Sequence, residues 1–300
     1  GGTVSFKVYD ASTGEVYVEV LPQLTFQPNY IYGSVTNPII IEATNSVEQV
    51  FNVNNGWNWI SFNVYHNNFN NLDIALNNVQ TVTGNTIKSN NEYSQYTNAG
   101  NWVGTLNELN NREMYKINVS HNHQFAVAGQ KVISDTVNIP ILHGWNWIGY
   151  PSQSQISVDE ALSSLTPLNN DVIKSQQSFA VFDQSLGWIG SLSYLQPGKG
   201  YMLYSTNTGN LQIAGNGSKS LFEEPEPVSQ IINTASNMTM IAELELNDAR
   251  NYVVKAYSNG LLCGLSEPVI INGKPIFFIT LNNEDLNKIT FIAERNKENK

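Results

Sequence analysis

A five-residue word occurs twice in this chain and constrains its fold more than any other feature. Gly56-Trp57-Asn58-Trp59-Ile60 opens one block, and Gly144-Trp145-Asn146-Trp147-Ile148 opens the next. Later landmarks follow both copies in the same order. Ile87-Lys88-Ser89 returns as Ile173-Lys174-Ser175, and Trp102-Val103-Gly104 as Trp188-Ile189-Gly190. Leu109, Tyr115 and Ala128-Gly129 return as Leu195, Tyr201 and Ala214-Gly215. The offset is 88 at the first tryptophan (57 to 145) and 86 from the Ile-Lys-Ser word on (87 to 173), so a small deletion falls between Tyr65 and Asn85. Repetition on this scale reads as a duplicated module, roughly 54–129 and 142–215.

Within each module the pattern is strand, short helix, strands. Along the first strand Trp57, Trp59 and Ser61 alternate with Asn58, Ile60 and Phe62, giving two unlike faces. In the second copy Ser157 is placed to cap a helix, with Glu160 three residues on and Val158, Ala161, Leu162 and Leu165 as its apolar stripe. Leu72 to Leu76 is the weaker equivalent. Strands are expected at Val172–Ser175, Phe179–Asp183 and Trp188–Leu192. A tight turn, Leu195-Gln-Pro-Gly-Lys-Gly200, then leads into Tyr201–Tyr204. The first copy has Leu109-Asn-Asn-Arg-Glu113 there, without glycine or proline, so the turn is not a catalytic element common to both.

Strand patterns flank the modules. Thr3–Asp10 alternates with Val4, Phe6 and Val8 on one face, and Glu15–Leu21 alternates again, which predicts a hairpin across Ser12-Thr13-Gly14. Leu24–Phe26 and Pro38–Glu42 are shorter candidates around a loop from Asn29 to Asn37. Beyond 237, Met238–Leu246, Tyr252–Ser258, Leu261–Leu265, Val269–Ile271, Pro275–Leu281 and Lys288–Glu294 read as strands. Asn259-Gly260 and Asn272-Gly273 between apolar runs are strong hairpin signals. Glu223-Glu224-Pro225-Glu226-Pro227 marks a linker. The expected class is therefore mainly β: two tandem β-rich modules, each with a short helix, flanked by Ig-like β-sandwich strands. The divisions are 1–50 and 238–300 for sandwich strands, 51–132 and 138–217 for the modules, and 218–237 for the linker.

Phe291 in Lys288–Glu294 answers Phe6 in Thr3–Tyr9, so the chain ends on the strand type with which it starts. Joined, the two sets would build a seven- or eight-strand sandwich, either within one chain or between copies. Phe6, Val8 and Phe291 are the candidate subunit-contact residues, and head-to-tail strand exchange would build a filament. The Gly-Trp-Asn-Trp-Ile openings, the Leu195–Tyr201 turn and the Phe6-Lys-Val-Tyr-Asp10…Gly14 strand resemble those of modular secreted and surface proteins of Bacteroidota. Such proteins often carry a type IX secretion signal domain, and the resemblance implies export to the cell surface or beyond. The sorting domain itself is not seen, which suggests a processed product or an excised region. The resemblance also implies a short O-glycosylation sequon at Asp135-Thr136-Val137, with Thr136 as acceptor.

Chemistry is sparse. Charged residues make up 13% of the chain, about half the usual share, and Asn, Gln, Ser and Thr supply the polar surface. A net charge of −10 without a basic stripe argues against nucleic-acid binding. One cysteine, Cys263, excludes an internal disulfide and reads as an inert strand residue. No run reaches the ~20 apolar residues of a membrane span. His121-Asn-His123 lacks a third ligand for a metal, and Asp183-Gln-Ser-Leu-Gly187 reads as a β-turn rather than a calcium loop. There is no paired-carboxylate, nucleophile or phosphate-loop motif. No cofactor is expected.

The six tryptophans all fall at duplicated positions. Core filling is the simpler reading. Trp102 and Trp188 are the candidates for stacking on a glycan. The expectation is a non-enzymatic extracellular structural or adhesive protein, self-associating or binding other surface proteins. A carbohydrate-binding accessory module that takes polysaccharide is the alternative, and a hydrolase with an unrecognised site a third.

Overall fold

The computed structural model describes residues 2–12, 15–17, 19–44, 46–213, 231, 234–282 and 288–296. The fold is mainly β, with antiparallel sheets throughout and two short α-helices among the described residues. The expected linker, 218–237, falls mostly outside them, as do its Glu-Pro run and the Ala214-Gly215 landmark.

The first module holds strands β1 (Gly56–Ile60), β2 (Thr86–Lys88), β3 (Tyr93–Tyr96), β4 (Trp102–Gly104) and β5 (Tyr115–Val119). They form one sheet in the order β4-β3-β2-β5-β1. The second module holds β6 (Gly144–Ile148), β7 (Val172–Lys174), β8 (Phe179–Asp183), β9 (Gly187–Gly190) and β10 (Tyr201–Ser205), in the order β9-β8-β7-β10-β6. The two orders correspond strand for strand.

The repeated word encodes the start of each sheet. Gly56 and Gly144 adopt φ of +94° and +97°, a backbone that L side chains rarely reach. Asn58 then clasps the turn, accepting from Asn54 N at 2.9 Å and donating to Asn54 O at 2.7 Å and Gly56 O at 3.1 Å. Asn146 repeats this with Leu142 N at 2.9 Å, Leu142 O at 2.8 Å and Gly144 O at 3.0 Å. We expect Asn58→Ala to cost about 1–3 kcal/mol, because three backbone groups lose their partner at a buried site. Asn146→Ala, in the more exposed copy, should cost less. Urea midpoints of the two variants would check the order.

Alternation carries Ile60 and Phe62 inward, where they join Ile87, Leu106, Tyr115 and Ile117 in the first core. Ile148, Tyr150, Ile173, Tyr201 and Leu203 do the same in the second. Helices α1 (Leu72–Ala75) and α2 (Val158–Ala161) close these cores, capped by Asn71 and Ser157. Ser157 accepts from Glu160 N at 3.2 Å, the cap expected from the sequence. Each helix also contributes an aspartate to the module's tryptophan strand. Asp73 Oδ1 accepts from Trp102 N at 2.7 Å and Asp159 Oδ1 from Trp188 N at 3.2 Å.

The strand Ser46–Val53 pairs with His123–Lys131, and its Phe51 stacks on Phe125 at 4.8 Å inside the first core. That strand begins ahead of the expected module start at 51. Before it lie three separate pairs: Thr3–Val4 with Leu24–Thr25, Val8–Asp10 with Glu15–Tyr17, and Glu19–Leu21 with Glu42–Thr44. The expected hairpin thus survives only near its turn, and Pro38–Ile41 does not join a strand. Ile31, Ile40 and Ile41 are exposed, without a layer to hold them in a ladder.

The C-terminal strands are β11 (Met238–Glu243), β12 (Tyr252–Ser258), β13 (Leu261–Ser266), β14 (Pro268–Ile271), β15 (Lys274–Leu281) and β16 (Ile289–Arg295). They make two three-stranded sheets, β11-β15-β14 and β13-β12-β16. Val254, Ala256, Cys263, Phe277, Ile279 and Leu281 form the core between them. Both Asn-Gly turns have φ near +50° at Asn and +80° at Gly, the geometry that two-residue hairpins favour. Cys263 is buried, its Sγ–H donating to Ala256 O at 3.4 Å, and burial pushes the thiol up, away from nucleophilic use.

Candidate functional site

The outward faces of the two module sheets carry Trp57 and Trp59 on β1 and Trp145 and Trp147 on β6. Here the sequence reading needs correction: these four are not in the module cores. Inward alternation belongs to the isoleucines, and the indoles instead meet lysines from other strands. Lys116 Nζ lies 4.1 Å from the Trp59 ring centroid and 4.2 Å from that of Trp147. One ammonium is thereby held between an indole from each module. Lys88 lies over Trp57 at 4.5 Å and Lys174 over Trp145 at 4.7 Å. A positive charge on the face of an indole is attracted by the ring quadrupole, most strongly where water is excluded. Lys116 is 3% exposed and Lys174 8%.

The segment leading into the C-terminal sandwich lies over both lysines. Lys116 Nζ donates to Ala235 O at 2.6 Å, and Lys174 Nζ to Asn237 O at 3.4 Å. Asn237 Nδ2 in turn donates to Ser175 O at 3.2 Å and Gln176 O at 2.9 Å. Phe278 of β15 packs edge-on against Phe179 of β8 at 5.5 Å. Burial, reinforced by the charges of Lys88 and Lys174, pushes the Lys116 ammonium down to about 7. Burial also lowers Lys174, to about 8. The indole faces act the other way and favour the charged form.

Around this stack the modules are joined by reciprocal hydrogen bonds. Ser61 N donates to Gly198 O at 3.1 Å, and Gly149 N donates to Arg112 O at 2.8 Å. Ser61 and Gly149 occupy the same position of the repeat, as do Arg112 and Gly198, so the contact is of the kind found across a local two-fold axis. Lys116 and its repeat counterpart Met202 meet near that axis, Nζ to Sδ at 3.8 Å.

The joint also covers the edge of β1. Gly200 N donates to Trp59 O at 3.1 Å, and Gln176 reaches Trp57 O at 2.6 Å and Trp59 N at 3.2 Å. A Cβ on Gly200 would stand 2.7 Å from Met114 Cβ and 2.9 Å from Ile60 O. Both turns dock on the other module, Arg112 on Gly149 and Gly198 on Ser61, and the Leu195–Gly200 turn in addition covers the β1 edge, which an unguarded sheet would expose.

The residues singled out in the sequence lie elsewhere. Trp102 is 8% exposed, with Tyr96 edge-on at 5.4 Å, so its ring is covered and offers little face to a sugar. Trp188 is half-buried against Phe182 at 5.4 Å. Thr136 is exposed in a short 3-10 turn, its hydroxyl donating to Ile133 O at 2.7 Å. Phe6 and Val8 are half-buried, and Phe291 is 44% exposed on β16. In the ladders of the described residues β16 pairs with β12, and the strands flanking Phe6 pair within the first 25 residues. The structure thus does not bring Phe6 and Phe291 onto one ladder.

His121 bonds Gln80 at 3.0 Å, and His123 bonds the His121 carbonyl at 3.0 Å. Ser185 N donates to Asp183 Oδ1 at 2.8 Å, closing that loop as a turn. No group of three or more metal-ligating side chains occurs among the described residues, and no helix there is long and apolar enough to cross a membrane.

Lys116 and Lys174 are the residues that sequence reasoning missed as chemistry. For Lys174 the available signal was the Ile-Lys-Ser word, whose lysine alternates with a core isoleucine and so shares a face with the tryptophans, whereas Lys116 lies outside that word, between Tyr115 and Ile117. Comparison with family models, curated proteins and solved structures gives no match for this chain.

Proposed function

We propose that the chain is a non-enzymatic structural or adhesive protein of the cell exterior. Its two modules, which we take to be copies of one unit, form with the C-terminal sandwich a stiff element that self-associates. One observation carries this reading: the residues best suited to chemistry are used to hold the chain to itself. Four of the six tryptophans and both buried lysines belong to the joint.

Single-molecule pulling on the full chain tests this. The modules and the sandwich should resist as a unit and separate at a force that Trp59→Ala lowers. A chain that extends without resistance, yet turns over members of a broad hydrolase substrate panel, would overturn the proposal.

The carbohydrate-binding reading is favoured by a residue other than those first considered. Trp145 is 44% exposed, with Tyr204 edge-on at 5.5 Å. If a glycan stacks there, intrinsic fluorescence should shift on titration with that glycan, and Trp145→Ala should abolish the shift. An unresponsive glycan panel would remove this alternative.

A further inference from the structure

We infer that the C-terminal sandwich has an acceptor edge, bounded by β11 and β16, for the Thr3–Asp10 strand of a second copy of this chain. The inference rests on the self-associating structural reading above and adds the surface and the segment involved.

Strands β13 and β14 are joined through Glu267 alone, which places them on one side of the sandwich. The sheet orders then leave β11 and β16 as the outer strands on the opposite side. In the ladders of the described residues each pairs on one side only, β11 with β15 and β16 with β12. Their inward positions are incompletely covered. Phe291 registers with Ala256, a core residue that is 0% exposed, yet Phe291 itself is 44% exposed. Met240 registers with the buried Ile279 and is only half-buried. A sheet edge with free backbone groups and an uncovered apolar inner row is what strand addition completes.

Thr3–Asp10 has the matching pattern. Val4, Phe6 and Val8 alternate, so one face would enter the apolar row while backbone groups pair with the rim. Thr3–Asp10 carries two charges: Lys7 alternates to the outward face, and Asp10, in phase with Val8, ends the strand and marks the limit of its apolar face. The outward charges on the two rim strands are Glu243 and Glu294, each already paired within the sandwich, Glu243 with Lys274 at 3.6 Å and Glu294 with Lys255 at 2.6 Å, so the match rests on the apolar row and the backbone rather than on charge. The donor is held at home by short pairs, Thr3–Val4 to Leu24–Thr25 and Val8–Asp10 to Glu15–Tyr17, which open at small cost. Its surroundings leave Tyr9, Leu21, Phe26 and Ile31 exposed. Large apolar side chains in that density mark an interaction surface. Because the donor and acceptor are different surfaces, the contact is heterologous and propagates.

The test uses the full chain with Cys263→Ala, so that the introduced thiols are the only ones. Lys7→Cys/Glu294→Cys should give a ladder of disulfide-linked oligomers on a non-reducing gel. A single closed monomer would overturn the inference, since the strand would then be completing its own sandwich. Phe6→Asp removes the donor and Phe291→Asp the acceptor. Each variant should sediment as a monomer with unchanged circular dichroism, and an equimolar mixture should stop at dimers. Parent chain that stays monomeric at millimolar concentration also overturns the acceptor edge. That outcome also removes self-association from the proposed function, but leaves untouched the pulling experiment, which tests whether the modules and the sandwich resist as one stiff unit.

Discussion

Trp59→Ala is expected to destabilise the chain by about 3–5 kcal/mol, the range for removing a large buried aromatic side chain. The indole is 3% exposed and covers one side of the Lys116 ammonium. Alanine leaves a cavity and a charge with a single aromatic partner. The repeat position in the other module should not respond alike. Trp147, half-buried, covers the same ammonium from the other side, and its loss should cost somewhat less. Trp145→Ala should cost under about 1.5 kcal/mol, since that ring is already 44% exposed. Guanidinium midpoints of the three variants would give the order. Equal costs would mean that the joint is not where the stability lies.

Stability is expected to rise with pH between about 7 and 10, and Lys116→Met should remove most of that slope. Below about 7 the amine is protonated in both the folded and the unfolded chain, and the cost of burying its charge is fully present. Between about 7 and its ordinary value of 10.5 the folded chain gives up the proton while the unfolded chain keeps it. The unfolded state then binds more protons, so stability increases with pH. Lys174, lowered to about 8, adds in the same direction.

The sign reverses at the alkaline end. Burial raises the Tyr115 and Tyr150 phenols above their ordinary value of 10.0, so the unfolded chain ionises first and stability falls. Thermal unfolding from pH 6 to 11 should therefore show a maximum between about 9 and 10. At pH 6, Lys116→Met should be more stable than the parent by roughly 1–3 kcal/mol, because a well-packed apolar side chain replaces a buried charge. A parent profile that falls over this window would show that the indoles outweigh burial.

Much of the fold was readable because its signals are local. Asn259-Gly260 and Asn272-Gly273 specify hairpins within a few residues, and Ser157 with Glu160 specifies a helix start. The Gly-Trp-Asn-Trp-Ile word specifies a turn and a two-faced strand. What was not readable is non-local. Thr3–Val4 and Glu19–Leu21 pair with partners chosen by tertiary fit, and an alternating strand accepts any ladder that matches its face. The joint was hidden for the same reason. Nothing near Lys116 in sequence announces that Trp147 will cover it, and a lysine between Tyr115 and Ile117 ordinarily reads as a solvated position. The turn at Leu195–Gly200 was visible as different from its counterpart, but its use required the edge of a strand from the other module.

The reciprocal contact at Lys116 and Met202 also bears on why the two modules share one chain. Two identical modules meeting in this way would set like against like on the axis. A pair of lysines at the 3.8 Å now spanned by Lys116 and Met202 would repel by about 4 kcal/mol even at an effective dielectric of 20. Covalent fusion lets each half hold a different residue at that point. One side supplies the charge and the other a polarisable neutral neighbour, a division of labour closed to any homodimer and bought by breaking its symmetry.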